Sequence, residues 1–399
     1  MSEWKITRVS QMAEILSGGT PKTEVEEYWN GNIPWLSVKD FAGDARKVYD
    51  SEKHISELGL NSSATQLLYP GDLIISARGT VGEIAQIGKT SAFNQSCYGL
   101  RVADGYSSDY LYYMLKYQVR YLKSVANGAV FDTIVVKTFD RMKASVPDLP
   151  TQKRIADVLS AYDDLIENNN RRIALLEKAA QELYKERFVR FRFPGYENAK
   201  FENGLPAGWN VKRLADYGKV ETGKTPSTEV LENYGCEIMF VKTPDMHGNL
   251  FTIQTGEYLS KQGHLTQPKK LLPPNSIMVS CIGTGGVVSI NAEQAHTNQQ
   301  INSIILDNSM FLEWLFFTCK GLKETIELFG ATGATMTNLS KGKFEKLKVI
   351  ESKEKLISLF HDKVQPVFDE IKALMYKNQN LAKQRDLLLP RLMSGKLEV

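Results

Sequence analysis

Ser17-Gly18-Gly19-Thr20-Pro21 and Thr222-Gly223-Lys224-Thr225-Pro226 are two versions of one loop, set 205 residues apart in a chain of 399. The offset extends well beyond that loop. Ile33 and Asp40 return as Ile238 and Asp245 at 205, and Pro70-Gly71-Asp72-Leu73-Ile74 is echoed by Pro274-Asn275-Ser276-Ile277-Met278 at 204. Gly79-Thr80-Val81-Gly82 reappears as Gly283-Thr284-Gly285-Gly286, Asn94-Gln95 as Asn298-Gln299, Gly128-Ala129 as Gly333-Ala334 and Phe139 as Phe344. Each match alone is a weak turn signal, but an offset that holds to one residue across about 120 positions marks an internal duplication. A period near 200 residues is too long for a stacked solenoid unit, so the copies are whole domains.

Each copy closes on a segment of different character. Ile155, Leu159, Tyr162, Ile166, Asn169, Ile173, Leu176, Ala180 and Leu183 step by fours and threes, the spacing that keeps one helical seam facing a partner helix. Phe360, Val364, Val367, Ile371, Leu374, Asn378, Leu381, Arg385 and Leu388 repeat the pattern, each 205 residues after its counterpart. Thr151 after Pro150 reads as the N-cap of the first helix. Pro366, welcome only in a first turn, reads as the start of the second long helix after a short preceding one. At 1.5 Å per residue, Thr151 to Arg187 spans roughly 55 Å and Pro366 to Leu389 about 36 Å. Helices so long need a partner, and the globular domain between them allows an antiparallel pairing in which Asn169 and Asn378 help to set register. The alternative packs each helix on its own domain.

The globular parts mix strand-like runs, Leu73-Ile74-Ile75-Ser76 and Ile277-Met278-Val279-Ser280, with helical stretches at Tyr110 to Leu122 and Phe311 to Leu328. Phe191-Arg192-Phe193-Pro194-Gly195-Tyr196 and Gly204-Leu205-Pro206-Ala207-Gly208-Trp209 punctuate the join. The expected fold is therefore α+β: two similar globular domains joined by two long helices forming an antiparallel coiled coil, with a pseudo-twofold internal repeat. The expected boundaries are 1–150, 151–192, 193–350 and 351–399.

Composition excludes several classes. With 42% hydrophobic and 24% charged residues the chain is not intrinsically disordered, and a net charge of +3 excludes a uniformly basic nucleic-acid coat, though not local cationic loops. Cys97, Cys236, Cys281 and Cys319 are scattered without zinc-ligand or disulfide spacing. The polar start Met1-Ser2-Glu3-Trp4-Lys5 lacks a signal peptide's apolar run, and Leu271 to Ala292 is too broken for a membrane helix. The expected compartment is the cytoplasm.

Candidate chemistry is sparse. Gly218-Lys219-Val220-Glu221-Thr222-Gly223-Lys224-Thr225 matches a phosphate-binding loop letter for letter, but Pro226 follows where a helix should open, and Gly19 stands where Lys224 would recur. No DNA-methyltransferase motif is present: Pro273-Pro274-Asn275 is in the wrong order, and neither Cys97 nor Cys281 follows proline. His54, His247, His264, His296 and His361 are not duplicated, and Asp163 and Glu167 read as the solvated face of the first long helix. What recurs is a set of loops rich in glycine, threonine, lysine and amides. Their candidate DNA contacts are Thr20, Lys22, Lys39, Arg78, Thr80, Asn94 and Gln95 in the first copy, and Lys224, Thr225, Lys242, Thr284, Asn298 and Gln299 in the second. The bland alternative gives these residues to turns and local hydrogen bonds.

With these features in place, the chain resembles the specificity subunits of type I restriction-modification enzymes over essentially its whole length. The most specific segments are Pro147-Asp148-Leu149-Pro150-Thr151-Gln152-Lys153-Arg154-Ile155 and Arg385-Asp386-Leu387-Leu388-Leu389-Pro390-Arg391-Leu392-Met393-Ser394-Gly395-Lys396. Thr151 stands where members often carry an acidic residue. The resemblance implies two target-recognition domains, each reading half of a bipartite asymmetric DNA site, and helices that act as a ruler. It also implies docking of two methyltransferase subunits and two restriction-translocase subunits. This chain itself would bind no cofactor: S-adenosylmethionine would belong to the methyltransferase subunits, ATP and magnesium to the nuclease-motor subunits. A non-catalytic coiled-coil scaffold and a nucleotide-binding enzyme using Lys224 are the competing readings.

Overall fold

The computed structural model describes residues 4–125, 134–331 and 337–399, so the Gly128-Ala129 and Gly333-Ala334 matches lie outside the described residues. The chain divides into two compact units, one of residues 1–168 with 378–399, the other of 169–377.

In the first unit, Leu73–Ser76 is the middle of a five-stranded sheet with neighbours Cys97–Val102 and Ile84–Ile87, flanked in turn by Ala13–Ser17 and Lys47–Val48. All four residues of Leu73–Ser76 are buried, and they divide by strand alternation: Leu73 and Ile75 join one apolar cluster, Ile74 another on the opposite face. Helix Ser108–Val125 supplies Tyr110, Leu111, Met114 and Leu115 to the first of these clusters. Trp29–Leu36 pairs with His54–Ile55 and Ala92–Phe93 in a second sheet, and Lys5–Arg8 with Lys143–Val146 in a two-stranded ribbon.

The second unit repeats this order strand for strand. Ile277–Ser280 is central, between Ile301–Leu306 and Val288–Asn291, with Gly218–Thr222 and Phe251–Thr252 at the edges. Ile277 and Val279 face one cluster and Met278 the other, as their counterparts do. Even the register break between Trp29 and Ile33 recurs between Tyr234 and Ile238. The expected helical stretch from Phe311 to Leu328 is two helices, Leu312–Gly321 and Lys323–Gly330, broken at Leu322.

The long helices are Leu149–Tyr184, continued by a π turn at Lys185–Val189, and Glu354–Met393. In each unit they run antiparallel. Asp163 pairs with Arg385 and Arg154 reaches the Val399 carbonyl in the first unit, while in the second Arg172 pairs with Glu370 and Arg187 donates to the Leu359 carbonyl at 3.3 Å. Of the seam, Ile155, Leu159, Asn169, Ile371 and Leu374 are buried, and Tyr162, Ile166, Ile173, Leu176, Val367, Asn378, Leu381 and Leu388 half-buried.

Three expectations about these helices are corrected. The N-cap is Asp148, whose Oδ1 accepts from the Thr151 amide at 3.0 Å, and Pro150 sits in the first turn where its missing N–H is harmless. The second helix passes straight through Pro366, because Pro366 and Asp362, whose carbonyl the proline leaves without its usual donor, are both exposed to water while Val364 and Phe368 stay buried. Asp163 is not solvated; it is one of the most buried carboxylates among the described residues, for reasons given below.

Candidate nucleic-acid interface

Three loops meet in each unit, and the same hydrogen bonds hold them. Gly19 N–H donates to the Phe93 carbonyl at 3.0 Å, and Lys224 N–H to the Thr297 carbonyl at 2.9 Å, tying the Gly-Thr-Pro loop to the Asn-Gln turn. The approach is close enough to require glycine: a Cβ on Gly18 would lie 2.1 Å from the Asn94 carbonyl oxygen, and one on Gly223 2.2 Å from that of Asn298. Ala77 N–H donates to the Ser96 carbonyl and Cys281 N–H to that of Gln300, at 2.8 and 2.7 Å, bringing in the third loop. That loop is a four-residue turn whose first and last glycines need left-handed backbone, with φ of 75° and 85° at Gly79 and Gly82 and 80° and 77° at Gly283 and Gly286. The hydroxyls of Ser76 and Ser280 each accept across the turn from the amides of Glu83 and Val287 at 2.9 Å.

The candidate contacts divide into scaffold and exposed groups. Asn94 and Asn298 turn inward: their Oδ1 atoms accept from the amides of Ser96 and Gln300 at 3.1 Å, forming Asx turns, and Asn298 is nearly buried. Asp40 and Asp245 likewise accept from the backbone of Ser37 and Lys242 and start short helices. Each Asx turn pushes the next residue outward, so Gln95 and Gln299 are exposed. Each is held by a threonine from the neighbouring loop, Thr20 donating to Gln95 Oε1 and Thr225 to Gln299 Oε1, the latter at 2.6 Å. The Gln amide nitrogens remain at the surface as donors.

Cations differ between the units. Lys22 and Arg78 are exposed in the first, and their counterparts at the repeat offset are Ser227 and Ile282; Lys224 is exposed in the second, where the first has Gly19. Thr80 and Thr284 are exposed at equivalent loop tips. Lys39 is exposed on the short helix Val38–Phe41, whereas Lys242 precedes its helix and its ammonium pairs with Glu257, so the two lysines are not equivalent. Lys224 sits in a loop after strand Gly218–Thr222 with no helix opening behind it, which removes the dipole a phosphate-binding loop needs. Burial pushes the thiols of Cys97 and Cys281 up to about 12 and about 11, so neither is a nucleophile near neutrality.

Sequence reasoning missed the polar joint between domain and helices in the first unit. Asp163 accepts from Tyr113 Oη and pairs with Arg385, with side chains only 3% exposed on both partners of the ion pair. Arg46, also buried, reaches Asp109 and Asp164 and lies over the Tyr113 ring. Burial opposes the charge of Arg385, but Asp163 and Asp386 outweigh it and hold its pKa above the ordinary value. Burial, then Asp163, pushes the Tyr113 hydroxyl well up. The available signal was Arg385 itself, a charged residue at a seam position.

These features define an internally duplicated α+β protein in which two loop-bearing domains alternate with two long antiparallel helices. The model of the type I restriction modification DNA specificity domain matches residues 1–178 and 206–350. The type I restriction enzyme MjaIX specificity subunit of Methanocaldococcus jannaschii is 29% identical across 100% of this chain and 94% of its own length. The HindI specificity subunit of Haemophilus influenzae is 32% identical over 69% of this chain and 74% of its own. The fold is that of the type I restriction-modification S subunit from M. genitalium, with a TM-score of 0.58 and 14% identity over 98% of this chain and 96% of that one. The chain therefore belongs to the type I DNA specificity family and is a specificity subunit of a type I restriction-modification system.

Proposed function

We propose that each domain reads one half of a bipartite, asymmetric DNA site through its three-loop cluster, and that the two long helices set the gap between the halves. The observation that carries this reading is one loop architecture built twice, with Thr80 and Gln95 matched by Thr284 and Gln299 but with different exposed cations: Lys22 and Arg78 in one copy, Lys224 in the other. Identical scaffolding supports equivalent docking of both units on duplex DNA; Arg78, of a type that reads guanine edges and standing where the second copy has Ile282, supports unlike half-sites. Phosphate contact falls to Lys22 and Lys224, and base-edge contact to Arg78 and to the threonine-braced Gln95 and Gln299.

The chain itself carries no catalytic step in this reading and acts in the cytoplasm with two methyltransferase subunits and two restriction-translocase subunits. S-adenosylmethionine belongs to the former, ATP and magnesium to the latter. Methylation-sensitive sequencing of a host carrying this chain and its methyltransferase partner tests the proposal. A two-part motif with unlike halves is expected; a single continuous motif, or none, refutes it. Removing matched heptads from both long helices is expected to change the gap length alone, and altered half-sites would overturn the ruler.

A further inference from the structure

The duplication creates a competitor to the native pairing. Each long helix carries the same seam, so either could pair with its own equivalent from a second copy of this chain as well as with the other repeat. The two joints, however, are chemically unlike. At the repeat offsets of 205 and 204, Asp163, Arg385, Tyr113, Arg46 and Gln86 of the first unit correspond to Phe368, Ala180, Phe317, Leu250 and Ile290 of the second. All five of the latter are buried in a single apolar cluster, in which Phe368 stacks edge-on against Phe251, Phe316 and Phe317 at 5.7–6.0 Å. Glu313, at the place of Asp109, pairs in the second unit with His361, whose first-unit counterpart is Ala156, and not with a residue at the place of Arg46.

Consider the two like pairings. If helix 149–184 of a second copy replaced helix 354–393 in the first unit, Ala180 would stand where Arg385 stands, and Asp163 would be buried without its cation. If helix 354–393 of a second copy replaced helix 149–184 in the second unit, Arg385 would enter the Phe317 and Phe368 cluster, where Phe368 stands in the place of its carboxylate partner Asp163. Both like pairings bury a charge without its partner; only the unlike pairing brings Asp163 and Arg385 together.

We propose that Asp163 and Arg385 form a pairing code, by which each long helix accepts the helix of the other repeat and rejects its own equivalent from a second copy of this chain. A polar residue at a coiled-coil seam selects its partner in the same way, by making the wrong pairing costly. It works through the charge of one pair, while the apolar seam supplies the adhesion common to all pairings.

The test uses full-length chains bearing two different affinity tags, unfolded together, refolded, and scored for capture of one tag with the other. Wild-type chains are expected to refold with little cross-capture. The doubly substituted Asp163→Phe, Arg385→Ala chain, which copies the second unit's residues into the first, is expected to keep its helix content and raise cross-capture at least about tenfold, a conservative part of what an uncompensated buried charge costs. Equal cross-capture for both proteins overturns the proposal. Should the double variant not refold, charge reversal split between chains decides: Asp163→Arg in one and Arg385→Asp in the other. Refolded together they are expected to form mixed dimers, since each supplies the other's missing partner. If either refolds alone to a wild-type-like monomer and no mixed dimer forms, the code is refuted.

Discussion

Acid should loosen the second unit before the first, and the effect traces to one side chain. His296 is fully buried on strand Ala295–Thr297, with Nε2 3.0 Å from His264 Nδ1 and no partner for its own Nδ1 among the described residues. Burial, with His264 adding to it, pushes its pKa down from 6.5 to about 4. A histidine depressed in the folded state is neutral in both states above 6.5, so it costs nothing there. As pH falls below 6.5 the unfolded chain takes up the proton and the folded one does not, so stability falls until about pH 4. At about 1.36 kcal/mol per unit, the loss between pH 7.5 and 5 is about 2 kcal/mol, approaching 3 by pH 4. Amide exchange read by mass spectrometry resolves the two units, and strand Ile277–Ser280 is expected to lose that opening free energy while Leu73–Ser76 does not. The first copy has buried Ala92 at the equivalent place, so His296→Ala should abolish the acid-dependent part and leave only a pH-independent change in stability. An acid loss that is equal in both strands, or that survives His296→Ala, refutes the reasoning.

Gln95→Ala should relax base choice in one half-site by about 1–3 kcal/mol and leave the other unchanged, and Gln299→Ala should do the reverse; binding selection over random duplexes reads both. A change in both half-sites from a single substitution would contradict independent reading. Lys224→Ala should weaken binding evenly across sequences and reduce the slope of log affinity against log salt by about 0.9 if the ammonium meets one phosphate, as measured by titration of the assembled methyltransferase. Arg385→Ala leaves Asp163 buried with Tyr113 as its remaining named partner and should cost the first unit about 3–5 kcal/mol in denaturant unfolding. A loss under about 1 kcal/mol, the range of exposed pairs, would mean that water reaches the site.

The legibility of this protein in its sequence follows the range of the interactions concerned. Turns report themselves locally. Gly79, Gly82, Gly283 and Gly286 are needed for left-handed backbone, and Asn94 and Asn298 for Asx turns, so the offset that linked them marked true structural equivalents. Helical seams are legible for the same reason, since 3.5-residue spacing is a local pattern that tertiary packing then uses. That locality also explains why the candidates Asn94 and Asn298 serve the scaffold: like the repeat markers Asp40 and Asp245, they recur because the loops need them.

By itself, then, the sequence determined the duplication, the α+β class, the two antiparallel helices and the family, all of which rest on repeated local patterns. Only the tertiary structure decided that Asp163 is buried, because its partner Arg385 lies 222 residues away and no window along the chain holds both. It likewise decided that a helix can run through Pro366, since that depends on which face meets water. The repeat offset shows that Phe368 stands where Asp163 stands; the fold shows that one joint is therefore ionic and the other aromatic. Charge and apolar burial at equivalent points become a difference in pairing only when both helices are in place, since the cost of a buried charge depends on the group that faces it.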